Sequence, residues 1–134
     1  MNVLETEWWA MAVPPEWWAD SEEDSILVGD RDEVGCIEIS TLHKDEGAFD
    51  AQTVRDIAQA ESEQLLEWRE VSLGDFAGVS SRYIEESTGV REWYVANGAL
   101  LLFITYSCDE DNHGMDDVAV DELLDTLMLL EECV

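Results

Sequence analysis

The side chains that could do chemistry in this sequence are carboxylates, and they come in runs. The densest run is Asp109-Glu110-Asp111-Asn112-His113-Gly114-Met115-Asp116-Asp117. Hard oxygen donors around a glycine suit Ca²⁺ or Mg²⁺, but an EF-hand loop closes on a Glu at its twelfth position, which here is Val120. The run reads instead as a solvated acidic lead into a helix, whose N-terminal dipole favours Asp116 and Asp117. The two histidines, His43 and His113, stand beside no cysteine or serine in a nucleophile context, and no G-x-S-x-G, H-E-x-x-H or P-loop pattern occurs. With carboxylates this numerous, two lying close together is a chance outcome rather than the mark of an acid–base pair. The expectation is a protein that is not an enzyme and holds neither metal nor cofactor.

What the carboxylates do collectively is a matter of field. Six Lys+Arg face 33 Asp+Glu across 134 residues, a net charge of −27. Asp20, Glu22, Glu23, Asp24, Asp30, Asp32 and Glu33 surround a single Arg31. From Glu92 to Val134 there is no Lys or Arg, while Asp109, Glu110, Asp111, Asp116, Asp117, Asp121, Glu122 and Asp125 accumulate. Such a surface repels nucleic-acid phosphates and anionic lipid, which excludes both as direct partners. It attracts a basic protein and raises its association rate. Basic proteins with grooves most often handle nucleic acid, and an inhibitor of a nuclease could fill such a groove with Asp and Glu in place of phosphates. Adaptation to high salt is the competing account, although six tryptophans and three cysteines are not what that pressure selects.

The tryptophan pairs Trp8-Trp9 and Trp17-Trp18 add an apolar component. On extended chain, neighbours point to opposite faces, so one of each pair can enter the core while the other stays nearer the surface. Trp9 and Trp18 are the expected partner anchors, beside the alternative that all four cover sheet and helix edges.

The elements that must position these residues follow from periodicity. An extended segment, Glu7 to Val13, ends at Pro14-Pro15, and Ser25–Val28 reads as a short strand beyond an acidic loop. Val34 to Leu42 alternates, Ile37, Ile39 and Thr41 against Glu38 and Ser40. Asp50 to Arg69 is a helix with Asp50 as N-cap, Phe49 stapled to Val54, and Val54, Ile57, Ala58, Leu65 and Trp68 on one stripe. Gly78–Glu86, Val90–Asn97 and Ala99–Ser107 form an antiparallel meander, its last turn marked by Asn97-Gly98. The last of these strands is apolar on both faces, so both need cover. A final helix from about Asp116 to Glu131 brings Val120, Leu123, Leu124 and Leu127 onto one stripe. The fold expected is α+β, one domain over residues 1–134, with an antiparallel sheet sandwiched between helical layers.

Pro15-Glu16-Trp17, Gly35-Cys36-Ile37-Glu38-Ile39-Ser40, Leu73-Gly74-Asp75-Phe76-Ala77-Gly78, and above all Trp93-Tyr94-Val95 through Asn97-Gly98 to Leu101-Leu102-Phe103-Ile104-Thr105-Tyr106, together with the closing helix, resemble the PsbP-like superfamily. That resemblance implies an α/β/α sandwich and a non-enzymatic binding role, the superfamily including a photosystem II subunit, a Ran-binding import factor, DcrB-like proteins and adaptors of type VI secretion effectors.

The start of the sequence shows no signal-peptide pattern, the longest apolar run (Ala99 to Ile104) is too short to span a bilayer, and three widely spaced cysteines suit reduced thiols. A cytoplasmic protein is expected. Its function would be to neutralise a cognate basic toxin or effector as an immunity protein. The alternatives are a chaperone or adaptor of a secretion-system effector, and a Ran-type GTPase regulator. The oligomeric state stays open.

Overall fold

The computed structural model describes residues 2–22, 25–30, 35–44, 47–61, 67–112 and 117–130. Ten strands and two short α-helices follow in the order β1 Asn2–Glu5, β2 Trp9–Val13, β3 Trp17–Ser21, β4 Ser25–Asp30, β5 Gly35–His43, α1 Ala51–Glu61, β6 Arg69–Leu73, β7 Phe76–Glu85, β8 Thr88–Asn97, β9 Leu100–Asp109, α2 Asp117–Leu124 and β10 Met128–Leu129. A 3₁₀ turn, Glu110–Asn112, follows β9. Strands β3-β4-β5-β9-β8-β7-β6 make a seven-stranded antiparallel sheet, and β1-β2-β10 a three-stranded one.

The two-faced strand β9 sits at the centre of the large sheet and organises the packing. Leu100, Leu102, Ile104, Tyr106 and Cys108 enter one core, while Leu101 enters the other with Phe103 packed against it. The second core lies under α1 and holds Phe49, Val54, Ala58, Val79 and Tyr94. Asp50 caps that helix as expected, its Oδ1 accepting from the Thr53 N–H at 2.7 Å, and that bond holds the carboxyl below its ordinary range.

The first core is covered differently from the expected helical layer. Trp9, Met11 and Val13 of β2 and Val120, Leu123, Leu124 and Leu127 in and after α2 close it, so a small sheet and one short helix share that face. The protein is therefore β-rich, built on antiparallel sheets with two short helices, rather than a sheet between two helical layers. The expected final helix stops at Leu124, because the Thr126 hydroxyl and the N–H groups of Thr126 and Leu127 bond the carbonyls three residues back, and Met128–Leu129 then pairs with β2. Helix α1 is described to Glu61, and residues 62–66, Leu65 among them, lie outside the described set.

Of the two meander turns, one meets expectation and one departs from it. The β8–β9 turn uses Gly98 at φ 58°, as Asn97-Gly98 indicates. The β7–β8 turn is Glu86-Ser87, at φ 47° and 69°, and Gly89 lies within β8. Two side-chain-bearing residues in the left-handed region make this a strained two-residue hairpin.

Candidate functional site

Each tryptophan pair divides between core and surface, though not always in the expected sense. Trp9 has 0% of its surface exposed, and its Nε1–H donates to Thr41 Oγ1 at 2.9 Å, tying the small sheet to the large one. It cannot meet a partner, which corrects its reading as an anchor; β2 faces the core with its odd-numbered residues. Trp8 is the half-buried member and stacks on His43 at 4.3 Å. Trp17 is buried, whereas Trp18 is 40% exposed on the α1-side face of β3. A Cβ at Gly29 would lie 2.5 Å from the Trp18 ring, so that ring lies directly over the neighbouring strand.

Among the described residues, the acids of the stretch from Asp20 to Asp30 are spread along one hairpin. The β3–β4 hairpin pairs Ser21 with Ile26 and Trp17 with Asp30, which puts exposed Glu22 by the turn and Asp30 at the opposite end. Asp20 lies between them, exposed, on the same face as Trp18. Glu23, Asp24, Asp32 and Glu33 lie outside the described residues, as does Asp116.

The second stretch also divides. Asp109, Glu110 and Asp111 are exposed at the end of β9. The Glu110 N–H donates to the Ser87 carbonyl at 2.8 Å, and Thr88 pairs with Asp109. These contacts bring the three acids beside Glu85 and Glu86, which sequence reasoning missed because only the strand register joins them. Asp117 and Asp121 instead face the sheet. Arg82 Nη2 lies 3.0 Å from Asp117 Oδ2, and Arg91 reaches Asp117 at 3.4 Å and Asp121 at 2.7 Å. They fasten α2 to β7 and β8, and the Asp121 side chain stays 56% exposed while Asp117 is 28% exposed.

The α1-side face of the large sheet carries a further pattern. Helix α1 packs on β7 and β8 toward the β8–β9 turn, leaving the other half of the face accessible. There Tyr83 Oη donates to Glu92 Oε1 at 2.7 Å. Burial, reinforced by that bond and by the charges of Glu92 and Glu85, pushes the Tyr83 phenol well above its ordinary value. Burial and the nearby Glu38 carboxylate likewise raise the Cys36 thiol. Among the described residues no three His, Cys, Asp or Glu side chains group as a metal site. No described helix is long and apolar enough to cross a membrane.

No protein-family model matches the sequence, and a search of curated proteins returns no match. Solved structures do match, at the level of the fold. A crystal structure from Bacteroides thetaiotaomicron is similar over 93% of this chain, with a TM-score of 0.68 and 18% identity. The chain spans 46% of that protein, about half its length. LpqN of Mycobacterium tuberculosis, described as involved in cell envelope biogenesis, is similar over 92% of this chain and 83% of its own, with a TM-score of 0.59 and 16% identity. Cyanobacterial PsbP from Synechocystis also matches, over 91% of this chain and 86% of its own, at a TM-score of 0.43 and 11% identity.

Proposed function

We propose that the chain is a non-enzymatic, acidic protein-binding module of the cytoplasm that neutralises a cognate basic effector. Its most concrete form is an immunity protein against a nuclease-type toxin. One observation supports this above others: among the described residues, four of the five cations are engaged away from the surplus acids. Arg82 and Arg91 turn onto α2, Lys44 sits over the Phe49 ring and Arg55 faces Glu70. Glu85, Glu86, Asp109, Glu110 and Asp111 meanwhile face solvent at one end of the sheet. Gathering like charge around a strained turn costs stability, and a role that needs the negative potential accounts for it.

The test is co-expression with the product of a neighbouring gene that encodes a basic, toxic domain. Growth rescue by this protein, weakened when Glu110 and Asp111 become Lys, is the expected result. Absence of rescue, with a protein that unfolds once salt is removed, would assign the acidity to salt adaptation instead.

A second reading, a chaperone that holds an apolar effector segment, is favoured by exposed Trp18 and Leu42. Its complex would survive high ionic strength, where an electrostatic clamp weakens. The involvement of LpqN in cell envelope biogenesis makes an envelope location the alternative to the cytoplasm, and cell fractionation separates the two.

A further inference from the structure

Strand register lays a neutral strip across the accessible half of the α1-side sheet face. Trp18 pairs with Gly29, Gly29 with Cys36, Cys36 with Ser107, Ser107 with Val90, and Val90 with Tyr83. Directly paired residues in antiparallel strands share a face, so these six form one continuous row. Two residues along each strand in one direction lie Glu85 and Asp109, joined through Thr88. Two residues in the other direction lie Asp20, Glu38 and Glu92, joined through Leu27 and Thr105. Of these five acids all but half-buried Glu92 are exposed. The strip therefore has acids on both sides where it crosses β9, β8 and β7, and on the Asp20–Glu38 side where it crosses β3, β4 and β5.

The dimensions select an occupant. Four residues of strand separate the acid rows, about 13 Å, and a helix with its side chains is about 10–12 Å across. Six strands give the strip a length of about 24 Å, the rise of a helix of about 16 residues. Trp18 and Val90 offer apolar contact along the floor, one flank is negative along its length and the other at its β9–β7 end. An extended strand, which alternates its side chains, would not present cations to both flanks and an apolar stripe to the floor.

We infer that this strip is the docking surface for a basic amphipathic helix of a protein partner, its apolar stripe on Trp18 and Val90 and its Lys or Arg side chains on the two acid rows. The inference rests on the acidic-binder reading and specifies the partner's form. Among the five described cations, Lys44, Arg55, Arg82 and Arg91 are engaged away from this strip, and Arg69 lies in register with Ser80 and Trp93 on the other face of the sheet.

The probe is a synthetic 16-residue helical peptide with a leucine stripe flanked by lysines, labelled for anisotropy and titrated into the full chain at 50 mM NaCl. A scrambled peptide of equal charge, without the stripe, is the comparison. Glu38→Lys and Trp18→Ala should each weaken the helical peptide about tenfold, whereas Glu5→Lys, a matched charge change on exposed β1 of the small sheet and off the strip, should change it less than about twofold. In a Cys133→Ser background, the bound peptide should also slow alkylation of Cys36. Circular dichroism checks that Trp18→Ala is folded, and Glu38→Lys, on the surface, stands independently. Equal binding of the scrambled peptide, equal weakening by Glu5→Lys, or an unprotected Cys36 would overturn the strip while leaving the acidic-binder reading standing. Failure of both peptides to bind would overturn both.

Discussion

Arg91 Nη2 lies 2.7 Å from Asp121 Oδ1, bridging the centre of the large sheet to α2. The same guanidinium rests over the Trp93 ring at 4.6 Å, and its side chain is 12% exposed against 47% for Arg82. Removing Arg91 leaves Asp117 and Asp121 facing each other without that cation in a chain already strongly negative. Arg91→Met should cost about 2 kcal/mol, less than a fully buried pair because Asp121 is half exposed. Arg82→Ala should cost about 0.5 kcal/mol. Urea denaturation of the two variants checks this, and equal small losses would show that the cluster does not secure α2.

The two tryptophans expected from sequence to share a role should separate cleanly. Trp9→Ala removes a fully buried side chain and its hydrogen bond to Thr41, which should cost about 3–5 kcal/mol. Trp18→Ala should cost about 1 kcal/mol or less, in line with its partial exposure. Thermal denaturation measures both, and a comparable loss at Trp18 would place its ring in the core instead.

These contrasts show how much of the fold is legible in the sequence. The meander is readable because Asn97-Gly98 fixes a turn and because Leu100 to Ile104 is apolar on both faces, which only a central strand tolerates. Asp50 and Phe49 announce the start of α1 by local chemistry alone. Strand β3 is hidden since Ala19, Asp20 and Ser21 form an exposed edge with no hydrophobic alternation. Strand β10 is hidden because Leu127 to Leu130 continues the apolar period of α2, and only pairing with β2 breaks it. The candidate surfaces are the least legible part. Glu85 meets Asp109, and Glu38 lines up with Glu92, through pairings between residues far apart in the chain, which no local pattern encodes.

Cys36 reports on the acid row beside it. Because burial and Glu38 raise its pKa, the thiolate fraction at pH 8 is below that of an ordinary thiol, and alkylation should be slow. In a Cys133→Ser background, Glu38→Gln should speed the reaction about twofold or more, by removing one of the two causes. An unchanged rate would mean that the Glu38 carboxylate does not act on the thiol across the strand pair.

Alkaline pH should weaken the α1-side core. Tyr94 stacks on Phe103 at 4.6 Å, and burial, aided by the Glu92 and Glu61 charges, pushes its phenol from 10.0 up to about 12. Its folded pKa is raised, so between those two values the unfolded chain has lost a proton that the folded chain keeps. The contribution is thus complete below pH 10 and disappears as pH rises toward 12. Unfolding free energy measured from pH 9 to 11.5 should fall less steeply in Tyr94→Phe than in the parent protein. Parallel slopes would contradict the assignment.

The claim that the surplus negative charge serves to dock a cationic protein meets its most direct test in a calorimetric titration with the basic product of a neighbouring gene, at 50 and at 500 mM NaCl. The account predicts a saturable complex at the lower salt, formed by a protein already folded there, and an affinity at least about tenfold weaker at the higher salt as screening shortens the range of the field. Absence of binding at 50 mM, from a protein that holds its structure only in concentrated salt, would contradict it.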